Sequence, residues 1–378
     1  MRGRALITVN GNNYSFAEPA AALRKAYSGN RIQLMHTRET ISHGKIVALS
    51  DTHFGEPSMM LDDPRLVDRL AGELAGRGDI AELVLLGDIV DLWVRTEMPA
   101  LRSARYFIDS ISSLENVEKI TYVPGNHDHQ MFMDAFNLDL DLRISLGDLS
   151  TPRFMPARTY GETTLGKLAD ANGSGRAGFS MTYPFIVRDV AGRTVVLTHG
   201  HHLDFYASSH GWARTFWLGR YIIKKRRQNA TLHDIEMANI PFCGAMSVAP
   251  WVPELVNEGL KYYHIISFFG RLFRSANLRE SPLRDSLIKE NYDEIEKLLG
   301  QLGVPLPSCF IYGHTHRAGV GMLPGTGMTI ANTGTWMLAE DDVPTGTWVE
   351  VDEDVKLYAL GREGSELLEE IALENKEA

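Results

Sequence analysis

The chain has 378 residues, a formal net charge of -10 and two cysteines. This length suffices for one large domain with insertions or for two domains, and 44% hydrophobic with 23% charged residues is typical of a soluble globular protein. The acidic balance disfavours a protein that coats nucleic acid. Cys243 and Cys309 have no metal-like spacing, so we expect free thiols and a cytoplasmic location. We expect neither a signal peptide nor a membrane span.

The chain is predicted to begin with an appendage that precedes an α/β domain. Residues 1–44 form this appendage, with a strand over 5–9 and a short helix over 19–27. From residue 45 strands and helices alternate, as strand 46–49, helix 64–76, strand 83–86, helix 100–114 and strand 119–123. This alternation indicates a layered α/β domain, in which ligands bind beyond the carboxyl ends of the strands.

The later elements are predicted to be mostly strands. Residues 139–178 are rich in Gly, Pro and Thr, and we assign them to loops or a small excursion. Residues 184–189 and 193–198 flank Ala191-Gly192 and are predicted to form a β-hairpin. Further strands are expected at 309–312, 328–332, 347–351 and 356–360, followed by a short helix from residue 363.

Polar side chains follow five of the β-rich runs. The fragments are Asp51-Thr52-His53, Gly87-Asp88, Gly125-Asn126-His127-Asp128, Thr198-His199-Gly200-His201 and Gly313-His314-Thr315-His316. Carboxylate and amide oxygens together with several imidazoles suit a divalent ion such as Mn²⁺, Fe²⁺ or Zn²⁺, whereas Ca²⁺ and Mg²⁺ prefer oxygen almost throughout. The sequence therefore predicts a transition-metal site at the strand ends.

The number of candidate ligands favours two ions over one. A single tetrahedral site needs about four ligands. The strand ends offer more candidates than that, namely Asp51, His53, Asp88, Asn126, His199, His314 and His316. These make two sites if one carboxylate bridges the ions, and Asp88 is the natural bridge because it is alone on its loop. Two ions about 3.5–4 Å apart can hold a hydroxide that attacks phosphorus in line.

The ordered fragments resemble the motif set of the calcineurin-like metallophosphoesterases, and the match spans residues 51–316. The resemblance implies a four-layer α/β/β/α sandwich with two divalent ions at the strand ends, Mn²⁺ being expected ahead of Fe²⁺ or Zn²⁺. His127 would meet the substrate and assist the leaving oxygen, and Asp128 would orient it. The implied ligands are Asp51, His53, Asp88 and His316 for one ion, and Asp88, Asn126, His199 and His314 for the other.

Three fragments, at residues 87–93, 199–205 and 332–336, resemble the branch of that family that contains UDP-2,3-diacylglucosamine hydrolase. The expected substrate is therefore a nucleotide-linked or lipid-linked phosphoester or pyrophosphate. This chain has His201 where that branch typically has a carboxylate. For His201 and His202, contact with phosphate and exposure to solvent both remain open. For Leu92-Trp93, packing against the sheet and contact with substrate remain open.

Residues 205–284 are predicted to be a helical cap inserted into a host domain of residues 45–204 and 285–378. The cap carries eleven Lys and Arg against five Asp and Glu, a charge of +6, whereas the rest of the chain carries -16. Aromatic residues spaced i,i+4 and an apolar run over 262–274 predict amphipathic helices. Such a cap either packs into its own small core or acts as a lid that receives an amphiphilic phosphoester or rests on an anionic membrane surface.

Three functions remain open. The leading hypothesis is a dimetal phosphoester or pyrophosphate hydrolase that acts on a small molecule. The second is a nuclease or cyclic-nucleotide phosphodiesterase of the same family, although we expect no stable nucleic-acid partner. The third is a non-catalytic scaffold, which the complete ligand set disfavours. The oligomeric state does not follow from the sequence.

Overall fold

A computed structural model of the chain describes residues 6–9, 12–15, 38–145, 147, 158–160, 163–170, 177–203, 232–248, 295–323, 325–338 and 344–373. These residues form two main sheets with helices packed on them, together with a separate two-stranded hairpin of β1 (Leu6–Val9) and β2 (Asn12–Ser15). The predicted α/β architecture is confirmed.

The larger sheet has eight strands and carries the first three polar fragments. In spatial order its strands are β16 (Ser365–Ala372), β15 (Asp354–Leu360), β14 (Thr347–Val351), β4 (Lys45–Leu49), β5 (Ile80–Leu85), β6 (Val117–Tyr122), β8 (Gly178–Tyr183) and β7 (Arg158–Tyr160). The strands β4, β5, β6 and β8 are parallel. The loops that follow β4, β5 and β6 therefore leave the sheet at one edge.

The smaller sheet has six strands and carries the other two fragments. In spatial order its strands are β12 (Gly319–Met322), β13 (Thr329–Asn332), β11 (Cys309–Tyr312), β10 (Arg193–Thr198), β9 (Phe185–Val190) and β3 (Arg38–Ile41). The strands β10, β11 and β13 are parallel, and β9 with β10 forms the predicted hairpin. The strand β3 lies within the stretch predicted to be an appendage, and it pairs with β9.

The described helices cover the outer faces of the two sheets. The larger sheet carries α1 (Pro64–Ala75), α2 (Glu97–Ser112), α3 (His129–Ser145) and α4 (Thr164–Asp170). The smaller sheet carries α5 (Leu232–Val248) and a helix over 295–302. Helix α1 shows why these helices form where they do. Asp63 caps its first turn and Pro64 occupies the first helical position. Val67, Leu70 and Leu74 then bury one face at helical spacing.

The packing has three hydrophobic cores, which define four layers. Strand β4 is buried on both faces: Val47 and Leu49 pack with the helices on the larger sheet, whereas Ile46 and Ala48 pack between the two sheets. A third core lies between the smaller sheet and the helices at 232–248 and 295–302. Because successive strand residues point to opposite faces, a nearly continuous apolar run such as β4 is what a central strand of this sandwich requires.

A buried ion pair joins the two sheets. Arg188 on β9 donates from Nε to Glu82 Oε2 (2.6 Å) and from Nη2 to Glu82 Oε1 (2.8 Å), and Thr121 Oγ1 donates to Glu82 Oε1 (2.5 Å). Glu82 lies on β5, and its side chain and that of Arg188 are both buried. This pair is a buried polar contact between the two sheets, and Lys119 of β6 with Glu39 of β3 adds a more exposed one.

One prediction of secondary structure was incomplete and another was wrong. Residues 139–178 were predicted to be loops or a small excursion, whereas α3 continues to Ser145, and β7 and α4 lie within this stretch. Residues from 363 onward were predicted to be helical, but 365–372 form β16 and pair antiparallel with β15. Glu, Leu and Ala favour a helix intrinsically. Pairing with an exposed sheet edge overrides that preference, because it supplies backbone hydrogen bonds along the whole strand.

The predicted cap lies mostly outside the described residues. Within 205–284 the structure describes 232–248, which is the helix α5. The helix predicted at 19–27 also lies outside the described residues. No helix in the described ranges is long and apolar enough to cross a bilayer.

Candidate metal centre

The five polar fragments meet at one edge of the sandwich. Asp51 and His53 follow β4, Asp88 follows β5 and Asn126 follows β6, whereas His199 follows β10 and residues 314–316 follow β11. Four of these side chains are buried, namely Asp51, His53, Asp88 and His199. Asn126, His314 and His316 are partly buried, and the His316 side chain is 38% exposed. The seven side chains that the sequence predicts as ligands therefore come from both sheets and converge on a single region.

Most of the predicted ligands have a left-handed backbone. Positive φ angles occur at Asp51 (54°), His53 (49°), Asp88 (53°), His314 (66°) and His316 (59°). Non-glycine residues rarely adopt this conformation, which costs about 1–3 kcal/mol each and is concentrated at functional sites. Hydrogen bonds between adjacent loops hold two of these residues, because Asp51 N donates to Gly87 O (3.0 Å) and His53 N donates to Asp88 O (2.9 Å).

Asp51, His53 and His316 form the first group of donor atoms. His316 Nε2 lies 3.2 Å from Asp51 Oδ1 and 3.2 Å from His53 Nε2. His53 Nδ1 donates to Asp91 Oδ2 (3.0 Å), which leaves the Nε2 lone pair directed at the other two side chains. Asp51 Oδ2 accepts from Ser50 Oγ and from His314 N (3.0 Å), whereas the buried Oδ1 accepts no hydrogen bond within the described part of the chain.

Asp88, His199 and His314 form the second group, and Asn126 adjoins it. His199 Nε2 lies 3.2 Å from Asp88 Oδ2 and 3.2 Å from Asn126 Oδ1. His199 Nδ1 donates to Leu86 O (2.8 Å), which again directs Nε2 at the group. The His314 ring centroid lies 5.2 Å from that of His199. Asp88 Oδ2 is also 3.9 Å from His53 Nε2, so this carboxylate lies between the two groups.

These two groups fit divalent cations. The His53 and His316 nitrogens, 3.2 Å apart, can share a proton, and a cation can take the place of that proton. Asp51 Oδ1 is buried with no hydrogen-bond partner among the described residues, and a cation would satisfy it. Two glycines make room for this arrangement, since a Cβ on Gly87 or Gly125 would overlap the His199 ring. The nitrogen and oxygen donors match the preference of transition-metal ions such as Mn²⁺, Fe²⁺ and Zn²⁺.

The electrostatics of the second group lead to the same conclusion. Burial alone would raise the pKa of Asp88, but the nearby His199 and His127 hold that pKa well below its usual range. Burial alone would lower the pKa of His199, but the charges of Asp88 and Asp51 raise that pKa to about 10. The carboxylates thus impose a field that favours positive charge, which either protons or metal ions can supply.

His127 lies beside the two groups and is held by Asp91. Its Nδ1 donates to Asp91 Oδ2 (2.9 Å), which is the oxygen that also accepts from His53. Its ring stacks on Trp93 with the centroids 3.9 Å apart. The ring is 23% exposed, and the hydrogen bond at Nδ1 leaves Nε2 as the remaining polar atom. His127 N also donates to Asp88 Oδ1 (2.8 Å).

The sequence led us to expect that Asp128 orients His127, and this geometry corrects that expectation. Asp128 is fully buried, and its oxygens accept from the backbone amides of Gly125 (2.6 Å) and Ile89 (2.7 Å). Burial and then the charge of Asp88 raise the pKa of Asp128. Asp128 therefore ties the loops after β5 and β6 together, whereas Asp91 orients the imidazole. Sequence reasoning missed Asp91, although its place three residues after Asp88 was a usable signal.

Two histidines for which solvent or phosphate contact was open prove to be buried. His201 and His202 are 7% and 1% exposed, and they lie against Glu236 of α5 and Tyr183 of β8. Leu92 packs in the core of the larger sheet. Trp93, predicted either to pack or to contact substrate, packs on His127.

The fold and the converging Asp, Asn and His side chains define a metal-dependent phosphoester hydrolase. A family model described as calcineurin-like phosphoesterase matches residues 44–318, and the chain belongs to that family. The dinuclear arrangement of its candidate ligands agrees with this membership. A search among curated proteins found no match.

The solved structures that match this chain share little sequence with it. A dimetal phosphatase from Danio rerio is 12% identical, with a TM-score of 0.38, and the match covers 88% of this chain and 99% of that chain. Vps29 in complex with Zn²⁺ from Entamoeba histolytica is 11% identical, with a TM-score of 0.35 and coverage of 87% and 99%. A predicted phosphoesterase from Streptococcus pneumoniae TIGR4 is 11% identical, with a TM-score of 0.31 and coverage of 87% and 98%.

Proposed function

We propose that the chain is a dimetal phosphoester or pyrophosphate hydrolase and that Asp88 bridges its two ions. One observation carries this proposal: Asp88 Oδ2 lies between His199 Nε2 (3.2 Å) and His53 Nε2 (3.9 Å), which belong to different donor groups. The ions would be held by Asp51, His53, Asp88 and His316, and by Asp88, Asn126, His199 and His314. Bound there, they would supply an activated nucleophile and neutralise the charge that develops on the phosphoryl group.

The protein's own residues would orient the substrate and move a proton. His127 is placed to donate from Nε2 to the leaving oxygen, because Asp91 occupies its Nδ1 and Trp93 covers one face of its ring. The hydrogen bond to Asp91 selects this tautomer and fixes the plane of the imidazole. Asp128 would act indirectly, by holding the loop that carries Asn126 and His127.

For the substrate, we propose a nucleotide-linked or lipid-linked small molecule, as in the family branch that contains UDP-2,3-diacylglucosamine hydrolase. The support comes from the sequence of residues 205–284, where a charge of +6 and apolar helical patterns coincide directly after His199. Cations near the site would attract a phosphate or an anionic lipid surface, and apolar side chains would receive an acyl portion. A nuclease or a cyclic-nucleotide phosphodiesterase would use the same cations for a nucleotide chain or ring.

The decisive experiment removes and restores the metal. Protein stripped with a chelator should not hydrolyse an aryl phosphoester, and added Mn²⁺ should restore turnover, because the proposed nucleophile depends on the ions. The restored protein is then compared on a nucleotide-sugar pyrophosphate, a cyclic nucleotide and single-stranded DNA at two salt concentrations.

Faster turnover of the pyrophosphate at both salt concentrations would support the proposed substrate class. If salt-sensitive cleavage of DNA is the fastest reaction, the protein is a nuclease. If the cyclic nucleotide is preferred, the protein is a cyclic-nucleotide phosphodiesterase. Hydrolysis by metal-free protein would exclude the dimetal proposal.

A further inference from the structure

A second cluster of histidines and a carboxylate lies next to the candidate metal centre. Its members come from three separate parts of the chain: His129 begins α3, His201 and His202 follow β10, and Glu236 lies on α5. All four side chains are buried, with exposures of 7% for His201 and at most 1% for the others. The rings of His201 and His199 are 5.6 Å apart between centroids, so the cluster adjoins the centre but consists of different residues.

The carboxylate of Glu236 is the hub of this cluster. Its Oε1 accepts from His129 Nε2 (2.6 Å) and from Tyr183 OH (2.7 Å). Its Oε2 is hydrogen-bonded to His202 Nε2 (2.7 Å), and an ion at this point would take the place of the proton that the two atoms share. One oxygen is therefore anchored by two donors, while the other faces His202. This is the arrangement in which a carboxylate binds an ion through one oxygen and is oriented through the other.

His201 adds a third donor group beside those of His202 and Glu236. Its ring packs against that of His202, with the centroids 4.0 Å apart. Its Nε2 lies 3.3 Å from Tyr183 OH, and its Nδ1 is buried with no hydrogen-bond partner among the residues that the structure describes. Ligand atoms of His201, His202 and Glu236 all lie within 4.8 Å of one another. A buried imidazole nitrogen without a partner is costly unless another group binds it.

We propose that His201, His202 and Glu236 bind a third divalent ion, distinct from the two of the proposed dimetal centre. Two imidazoles and one carboxylate form the ligand set that Zn²⁺ accepts, and a fourth position remains for water or for Tyr183 OH. His129 and Tyr183 then serve as the groups that orient Glu236. The ion links α5, which lies within the predicted cap, to the loop that carries His199. The site thus fastens this helix to the catalytic domain.

Metal counting tests this site without relying on activity. The full chain is stripped of metal, loaded with Zn²⁺ and dialysed against a weak chelator, and the bound metal is measured by elemental analysis. We expect three ions per chain in the wild type and two in Glu236→Gln, which keeps the side-chain volume. The matched control is Glu350→Gln, because Glu350 is an equally buried glutamate bonded to Lys45 and Trp348. This control should retain all three ions.

A second pair of variants separates this site from the dimetal centre. Asp51→Asn combined with Asp88→Asn should retain one ion, and adding Glu236→Gln to that protein should remove it. With Co²⁺ in place of Zn²⁺, the double variant should show the visible absorption of a single tetrahedral ion. If Glu236→Gln does not fold, as judged by circular dichroism, His201→Phe takes its place, since it keeps the ring and removes both nitrogens.

Equal metal content in the wild type and in folded Glu236→Gln or His201→Phe would overturn the proposal, as would complete loss of metal from the Asp51→Asn, Asp88→Asn double variant. The cluster would then be a hydrogen-bond network alone. Neither result depends on whether the dimetal centre hydrolyses phosphoesters.

Discussion

Strand β5 and the loop after it carry two buried carboxylates whose surroundings differ. Glu82, within the strand, accepts two hydrogen bonds from Arg188 and one from Thr121. Asp88, just beyond the strand, accepts from the backbone amide of His127 and faces the ring nitrogens of His199 and His53. Both side chains are at most 1% exposed. The two carboxylates are therefore similarly buried, but a guanidinium compensates the charge of Glu82, whereas imidazole rings face Asp88.

The difference separates a structural charge from a functional one. A guanidinium pairs with Glu82 in a bidentate geometry, so the charge is neutralised inside the protein and the pair joins the two sheets. Asp88 faces imidazoles, which are cationic only when protonated, and it lies beside residues in a strained left-handed backbone. Backbone strain of this kind is concentrated at functional sites. The Asp88 side of the strand is built to receive ions.

The largest effect is expected from Asp88→Asn. This change removes the proposed bridge from both ions. We expect kcat/KM for an aryl phosphoester to fall about 10⁴-fold, because the metal ions lower the activation barrier by several kcal/mol. Kinetic assays and elemental analysis of the same sample measure the change. The loss should exceed that of any other single ligand variant. Undiminished turnover with full metal content would refute the bridging role.

Arg188→Met should instead affect stability. Removal of the guanidinium leaves the buried Glu82 with only the Thr121 hydroxyl and the more distant Lys119 Nζ (3.7 Å) among the described residues. We therefore expect the free energy of unfolding to decrease by about 3 kcal/mol. Chemical denaturation measures this change, and turnover per folded molecule should stay at the wild-type value.

The double variant Arg188→Met, Glu82→Leu is the matched control for the ion pair. It removes both charges, and we expect it to recover most of the lost stability, because replacing a buried pair by apolar side chains is often neutral or stabilising. A double variant as unstable as Arg188→Met would mean that packing, and not charge, makes this position important.

His127→Ala should change the dependence on the leaving group. A general acid contributes about 10²–10⁴-fold, and a poor leaving group needs it more than a good one. We therefore expect a loss of about 10²-fold or more on an alkyl phosphoester and a smaller loss on a nitrophenyl ester, with the metal content unchanged. Asp91→Asn keeps the imidazole and should show a weaker form of the same pattern.

Two other patterns would assign His127 differently. Equal losses on the alkyl and nitrophenyl esters would make it a binding group and not an acid. A loss of bound metal in His127→Ala would make it a ligand.

The fold followed from local signals where those signals were strong. The buried run before Asp51 and the hairpin before His199 were predicted within a few residues, because continuous apolar runs and turn residues are local features. The last strand was not predicted, since residues 365–372 have helix-forming composition and become a strand only by pairing with β15. Residues 139–145 were missed because the helix α3 has almost no amphipathic pattern.

The sequence by itself determined the chemistry of the candidate centre. Asp, Asn and His in fixed order after β-rich runs specify donor types, and parallel strands bring such loops to one edge. Only the tertiary structure decided which side chains act in pairs. It placed Asp91 rather than Asp128 on His127, joined Arg188 to Glu82, and gathered His201 and His202 around Glu236. These hydrogen-bonded partners are 34 to 106 residues apart in the chain. Contacts of this kind depend on how sheets and helices pack, and no local pattern encodes that geometry.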